Sequence, residues 1–214
     1  MGTEVSRAFM QYFMTVKVAR ETQVRKEFGI ICRIFEEPGD RHDDWKKMIG
    51  LLNRQLQFVQ MTIRAVISEL NGAVYWGIAN TATDELSKLS SYFAGKDLKY
   101  VQDLLRAMIE KKGQIEREPA ERLKHDDGPD KMTFGEVKLL LSDLVKLRWL
   151  KIDKSENFLF GERTYLEFNP YFDQLLKDGN IPECRYCKKW CILGTEDGSH
   201  FHCEDREMAM AAEQ

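Results

Sequence analysis

The chain has 214 residues, of which 43% are apolar, enough to bury one large hydrophobic core or two small ones. No apolar run approaches the roughly eighteen residues of a membrane span, and the polar opening lacks the apolar stretch of a secretory signal. We therefore expect an intracellular protein with reduced thiols and no membrane partner. The net charge of −3 argues against a protein whose main task is to coat nucleic acid, because such domains carry a strong basic excess.

Three amphipathic helices are predicted in the first sixty or so residues, because apolar side chains recur there at helical spacing. Pro38 and Gly39 separate the second helix from the third, which begins near Asp44. The apolar faces are Phe9, Met10, Phe13 and Met14; then Val24, Phe28, Ile31 and Phe35; then Trp45, Met48, Ile49, Leu52, Leu56 and Val59.

A β-hairpin is predicted after the third helix, around Asn71-Gly72. The flanking runs are rich in β-branched and aromatic residues, and Asn-Gly suits a tight turn in which both positions need positive φ. Three helices followed by a hairpin is the order of elements in a winged helix.

Helical periodicity then returns, with Thr83 as a predicted N-cap and a later helix that Gly113 ends. The apolar stripe of that helix is Leu98, Val101, Leu104, Leu105 and Met108. The charged stretch 113–131 contains Gly128 and Pro129, so we expect the domain break there.

The same plan recurs past the break in shorter form, without a repeat in the sequence. Thr133 and Glu136 predict a capping box, and a second hairpin is predicted around residues 155–157. The final helical segment contains Pro170, which should kink or split it near Asn169. The helix after the capping box buries Val137, Leu140, Leu141 and Leu144.

Two uses of the winged helices stay open at this point. Basic side chains of the second unit could contact DNA phosphates, or they could be ordinary solvated charges, since acidic residues are interleaved with them. The basic residues are Lys138, Lys146, Arg148, Lys151 and Lys154. Winged helices also pair with one another, and the aromatic residues Tyr75, Trp76, Tyr92 and Phe93 would suit such pairing unless they are core.

The end of the chain contains four of the five cysteines and two of the four histidines within residues 184–203. Cys184 and Cys187 form a CxxC pair, and His200 and Cys203 form an HxxC pair, with twelve residues between the two pairs. Two such pairs supply the four ligands of a closed, structural zinc site, which leaves no position for a catalytic water. Zinc binding to such modules is worth roughly 10–16 kcal/mol, so without metal we expect this segment to be disordered.

Two other residues compete as ligands. His202 adjoins Cys203, and adjacent residues seldom reach one ion, so the spacing favours His200. Cys191 is either a substitute ligand or a free thiol. A redox CxxC pair would need a thioredoxin-like setting, which the sequence does not indicate.

The chain resembles the non-SMC element one family, the RING-like subunit of the chromosome-maintenance complex built on the fifth and sixth SMC proteins. The resemblance runs from about Arg7 to Cys203 and includes RAFMQYFMT and the sequence from LVKLRWLKIDKSENFLFGERTYLE into CRYC. The most specific block is VYWGIANTATDELSKLSSYFA, in which Tyr75, Asn80, Thr83, Lys88 and Phe93 fit the family's pattern.

This resemblance implies tandem winged helices that dock a MAGE-type subunit and a kleisin subunit, with indirect contact to the SMC heterodimer and to DNA. It implies a nuclear, chromosome-associated role in DNA repair and recombination. It also implies a variant RING with two zinc ions in a cross-brace that promotes ubiquitin transfer, with a ubiquitin-conjugating enzyme as a further partner.

The sequence departs from that RING. Cys184, Cys187, His200 and Cys203 match the first and third ligand pairs, whereas the second and fourth pairs are missing, so we expect one zinc ion. We therefore expect an interaction subunit whose ligase activity is weak, absent or dependent on its partner. An active RING-type ligase and a winged-helix DNA-binding regulator are the alternatives.

The predicted fold class is mainly α with small β-hairpins (α+β). The expected domains are a winged helix with trailing helices over residues 1–115, a second winged helix over 116–180, and a partial RING-like zinc module over 181–214.

Overall fold

The computed structural model describes residues 3–37, 44–81, 89–90, 92–123 and 132–212, with side chains of the last helix described to residue 206. Contacts group the chain into two units, Met1–Ile67 with Ala73–Thr83, and Ser68–Gly72 with Asp84–Gln214. None of the helices in the described ranges is long and apolar enough to cross a membrane. The features predicted at residues 38–39, 83, 88 and 128–129 lie outside the described residues.

In its described residues, the first unit contains three helices and a three-stranded antiparallel sheet, in which β1 (Val18–Arg20) and β2 (Met61–Ile67) flank β3 (Val74–Asn80). The predicted helices and hairpin are confirmed, while β1, which pairs Val18 with Gly77, was not predicted. The elements are α1 (Thr3–Val16), β1 (Val18–Arg20), α2 (Glu21–Ile34), α3 (Asp44–Leu56), a 3₁₀ turn (Gln57–Val59), β2 (Met61–Ile67) and β3 (Val74–Asn80).

The core of this unit is built from the predicted apolar faces. The ring of Phe9 lies 5.1 Å from that of Phe13 and 5.0 Å from that of Phe28, and all three are buried. Met14 is 53% exposed, Val59 64% and Phe35 39%, so their predicted burial is wrong. Phe35 is the C-cap residue, beyond the last turn of α2. Met14 is about 140° around the helix from Phe9, and Val59 lies in the 3₁₀ turn, where the α-helical period no longer applies.

The hairpin turn is wider than the Asn-Gly signal predicts. The strands end at Ile67 and resume at Val74, and of the Asn-Gly pair only Gly72 has positive φ, at 66°. The Gly72 N–H donates to the Ser68 carbonyl at 2.9 Å. Residues 68–72 therefore form a compact loop, and their contacts group them with the second unit.

The second unit repeats the order helix, strand, helix, helix, strand, strand, and its sheet order β4-β6-β5 matches that of the first. This confirms the α+β class with tandem winged helices. The two-residue strand β4 (Gln114–Ile115) and the short helix α5 (Arg117–Arg122) lie in the charged stretch 113–131, where the domain break was expected. The elements are α4 (Gly95–Glu110), β4 (Gln114–Ile115), α5 (Arg117–Arg122), α6 (Phe134–Lys146), β5 (Leu150–Ile152), β6 (Phe158–Phe160), α7 (Glu162–Lys177) and α8 (Phe201–Ala212).

Local signals in the second unit are mostly confirmed. The capping box is present, since the Thr133 hydroxyl accepts the Glu136 N–H and the Glu136 carboxylate accepts the Thr133 N–H at 2.8 Å. In the β5–β6 turn, the Asp153 carboxylate accepts two backbone N–H groups at 2.8 Å. A split of α7 at Pro170 is wrong, because the helix runs through it and is held by the buried residues Tyr165, Leu166, Phe168 and Phe172.

The three domain ranges 1–115, 116–180 and 181–214 stay predictions. The element order gives α4 the place in the second winged helix that α1 has in the first.

Candidate metal centre

The first cysteine pair lies in a tight backbone loop that follows α7. The Cys184 N–H donates to the Lys189 carbonyl at 2.8 Å, and the Lys188 N–H donates back to the Cys184 carbonyl at 3.0 Å. Lys188 has φ of 59°, which lets the chain reverse within this loop. Both cysteines of the CxxC pair are therefore held on one small loop.

The second pair lies at the start of α8. The Cys203 and Glu204 N–H groups donate to the His200 carbonyl at 3.0 and 3.1 Å. Residues three apart in a helical turn share a face, so the side chains of His200 and Cys203 lie side by side. The preceding loop closes when the Thr195 N–H donates to the Ser199 carbonyl at 2.7 Å.

The structure brings the four predicted ligands together. Their ligand atoms all lie within 4.8 Å of one another, and His200 Nδ1 lies 3.4 Å from Cys187 Sγ and 3.7 Å from Cys203 Sγ. A tetrahedral zinc ion about 2.3 Å from sulfur and about 2.0 Å from nitrogen would hold such atoms about 3.6 Å apart. The group could hold a metal ion, and its spacing fits zinc.

The environment of Cys184 favours the thiolate that metals bind. Burial opposes ionisation of this thiol, but backbone N–H groups of Cys187, His200 and Tyr186 donate to its sulfur and lower its pKa from about 9 to about 6. A thiolate stabilised by backbone donors is available near neutral pH.

The two competing residues lie outside the group of four. Cys191 is buried and clusters with Glu69 on a different side of His200. The ring of His202 stacks on that of His200, with centroids 5.1 Å apart, and its Nδ1 lies 3.2 Å from the Glu69 carbonyl oxygen. The assignment of the four as metal ligands stays a prediction.

Sequence reasoning missed Glu69, which lies in the loop between β2 and β3. This carboxylate is 2% exposed and accepts the Ile192 and Leu193 N–H groups at 2.7 and 3.1 Å and the Tyr165 hydroxyl at 2.6 Å. Burial and the adjacent carboxylate raise the pKa of Tyr165 well above its usual range. The only local signal was an acidic residue beside a turn, which is common in exposed loops.

Aromatic packing attaches the cysteine loop to α7. The ring of Trp190 stacks on that of Tyr165 at 5.5 Å and 12°, and lies 5.2 Å from the ring of Phe172. Trp190 is only 7% exposed. The segment thus combines a candidate metal site with a small hydrophobic contact.

Three of the five basic residues considered for DNA contact are paired with carboxylates of the same unit. The pairs are Lys138 with Glu121 at 3.9 Å, Lys146 with Asp143 at 3.0 Å, and Lys151 with Glu162. These pairings favour solvated or structural charges over phosphate contacts. Tyr75 is buried and Phe93 packs on Trp149, which favours the core interpretation of the aromatic residues.

Comparison with known proteins gives a consistent set of relatives. A family model described as "Nse1 non-SMC component of SMC5-6 complex" matches residues 6–168. Proteins named non-structural maintenance of chromosomes element 1 homolog are 26% identical over 193 residues in Homo sapiens and 25% over 190 residues in Xenopus laevis. The matches cover 90% and 88% of this chain, and 71% and 69% of those proteins.

A solved structure titled "Nse1-Nse3-Nse4 complex" contains a chain with the same fold. The TM-score is 0.83 at 23% identity, over 98% of this chain and 92% of that chain.

Proposed function

Because the chain belongs to the family of Nse1 non-SMC components of the SMC5-6 complex, we propose that it is an interaction subunit of such a complex. Its winged helices bind a MAGE-type subunit and a kleisin subunit. Through them the chain contacts the SMC heterodimer and DNA, in the nucleus, in support of DNA repair and recombination.

The observation that carries this proposal is the match of the family model to residues 6–168. That range spans both winged helices and ends before the cysteine loop, so the family assignment rests on the helical units. The fold shared with a chain of the Nse1-Nse3-Nse4 complex supports the same partners. The carboxylate pairing of Lys138, Lys146 and Lys151 argues against a separate role as a DNA-reading regulator.

We further propose that Cys184, Cys187, His200 and Cys203 bind one zinc ion. The bound ion supplies four bonds that fix the loop after α7 to the start of α8. A closed four-ligand site leaves no position for a catalytic water, so the proposed role of the ion is structural.

Co-expression with the MAGE-type and kleisin subunits of the same source tests the proposed role. The chain is expected to co-elute with both in size-exclusion chromatography, at equal stoichiometry. Elution of a folded chain by itself would contradict the proposal. Faster discharge of a ubiquitin-charged conjugating enzyme by the purified assembly would instead favour the ligase alternative.

A further inference from the structure

The buried carboxylate of Glu69 lies beside the imidazole of the candidate ligand His200. Glu69 Oε1 is 3.4 Å from His200 Nε2, and the Trp190 carbonyl oxygen is 3.0 Å from the same nitrogen. The other ring nitrogen, Nδ1, faces the sulfurs of Cys187 and Cys203. The imidazole therefore presents one nitrogen to the thiols and the other to two oxygen acceptors.

A buried carboxylate costs stability unless donors surround it. Here the donors come from the predicted zinc module, residues 181–214, since Glu69 accepts the N–H groups of Ile192 and Leu193 at 2.7 and 3.1 Å. These two residues directly follow Trp190 and Cys191 in the chain. Through these two hydrogen bonds, Glu69 fixes the segment Trp190–Leu193, which includes the Trp190 carbonyl that faces His200 Nε2.

The loop that carries Glu69 is shaped to fit this position. Its Gly72 has φ of 66°, and a Cβ at that residue would lie 3.0 Å from the ring of His202. Ser68 is buried, and its carbonyl accepts the Gly72 N–H at 2.9 Å. Residues 68–72 are therefore closely packed against His202, which lies between the two members of the second ligand pair in the sequence.

We propose that Glu69 is a positioning residue for the metal centre. It acts in two ways, by facing His200 Nε2 with its own oxygen and by fixing the Trp190–Leu193 segment. Both favour a proton on Nε2 and leave the Nδ1 lone pair for the metal, which is how carboxylates and carbonyls orient metal-binding imidazoles. The inference rests on the proposed zinc site and adds to it a residue more than a hundred positions away in the sequence.

Zinc affinity of the full chain carrying Glu69→Gln, measured by chelator competition, tests the role. An amide cannot accept from all the present donors, so affinity is expected to fall about 10- to 100-fold. Glu183→Gln is the matched control, because this exposed carboxylate adjoins Cys184 and pairs with Lys188 at 3.6 Å. The control should stay within about twofold of the unmodified chain, since it contacts no ligand imidazole.

Tyr165→Phe separates positioning from general packing. It removes one donor to Glu69 but leaves the N–H groups and His200 in place, so it should lower the unfolding temperature without changing zinc affinity. The ¹⁵N resonance of His200 Nε2 in the zinc-loaded chain should shift in Glu69→Gln and stay unchanged in Tyr165→Phe. Unchanged affinity and an unshifted resonance in folded Glu69→Gln would overturn the inference.

If Glu69→Gln does not fold, the ¹⁵N spectrum of the His200 imidazole in the unmodified zinc-loaded chain tests the inference instead. Metal on Nδ1 with a proton on Nε2 supports the inference, and metal on Nε2 overturns it. If the unmodified chain binds no zinc, the proposed zinc site itself is wrong. If it binds zinc and Glu69→Gln leaves the zinc affinity unchanged, only the proposed role of Glu69 is wrong.

Discussion

At the scale of single residues, the exposed thiol of Cys187 and the buried thiol of Cys191 have different surroundings near His200. Cys187 Sγ lies 3.4 Å from Nδ1 of His200, whereas Cys191 Sγ is directed to the Leu193 carbonyl at 3.9 Å. Cys187 belongs to the group of four candidate ligands, whereas Cys191 belongs to a second group with Glu69 and His200. The geometry therefore favours Cys187 over Cys191 as a ligand, and the choice between these two cysteines stays a prediction.

Substitution of these two cysteines should have opposite effects on metal content. Cys187→Ala removes one of four ligands and is expected to lower zinc from about one to below about 0.2 equivalents per chain after dialysis. Cys191→Ala is the matched control and should keep about one equivalent. Elemental analysis of the purified proteins measures both, and zinc loss in the Cys191 variant would contradict the ligand set.

The position of Glu69 shows why part of the proposed site could not be predicted from the sequence. The four candidate ligands lie within twenty residues, and their spacing alone predicts a shared ion. Glu69 reaches them through hydrogen bonds to Ile192 and Leu193, which are 123 and 124 residues away. Nothing in its own neighbourhood specifies those partners.

At the scale of elements, α6 begins with a capping box whose carboxylate titrates. A side-chain hydrogen bond from Lys96 and the Thr133 backbone N–H lower the pKa of Glu136 from 4.5 to about 2. A lowered folded-state pKa adds stability above the unfolded pKa, and this contribution is lost as the pH falls through the folded pKa. The cap should therefore be strongest near neutral pH.

Glu136→Gln should reveal this dependence. The variant is expected to unfold at a lower temperature than the unmodified chain at pH 7, because it loses the charge-assisted cap. The difference should shrink as the pH falls below about 4.5 and approach zero near pH 2. Thermal unfolding followed by circular dichroism measures it, and a difference that does not vary with pH would contradict the account.

Elements with a local signal could be predicted, and elements that depend on distant partners could not. The faces of α1, α2 and α3 follow from apolar periodicity, and both hairpins follow from turn residues between β-rich runs. Strands β1 and β4 have three and two residues, too few for any period, and exist because they pair with β3 and β6. The α7 helix continues through Pro170 because its buried face outweighs one missing hydrogen bond.

At the scale of the whole molecule, the winged helices and the metal module have separate proposed tasks. The family model covers residues 6–168, and the four candidate ligands lie beyond that range. We therefore assign partner binding to the winged helices. The proposed role of the metal is to stabilise the fold of the predicted zinc module, residues 181–214.

This division predicts that partner binding survives damage to the metal site. Cys187 is exposed, so Cys187→Ala removes a ligand with little disturbance of the core. The variant should still co-purify with the MAGE-type and kleisin subunits, at a yield within about twofold of the unmodified chain. Loss of both partners by a variant whose circular dichroism is unchanged would show that the module itself makes the contact.

The central claim is that one zinc ion is bound by three sulfurs and one imidazole nitrogen. X-ray absorption at the zinc edge, on the full chain purified without added metal, tests this claim most directly. We expect one zinc per chain, with three sulfurs at about 2.3 Å and one nitrogen at about 2.0 Å. A shell of oxygen or nitrogen alone, or a folded chain that contains no zinc, would contradict it.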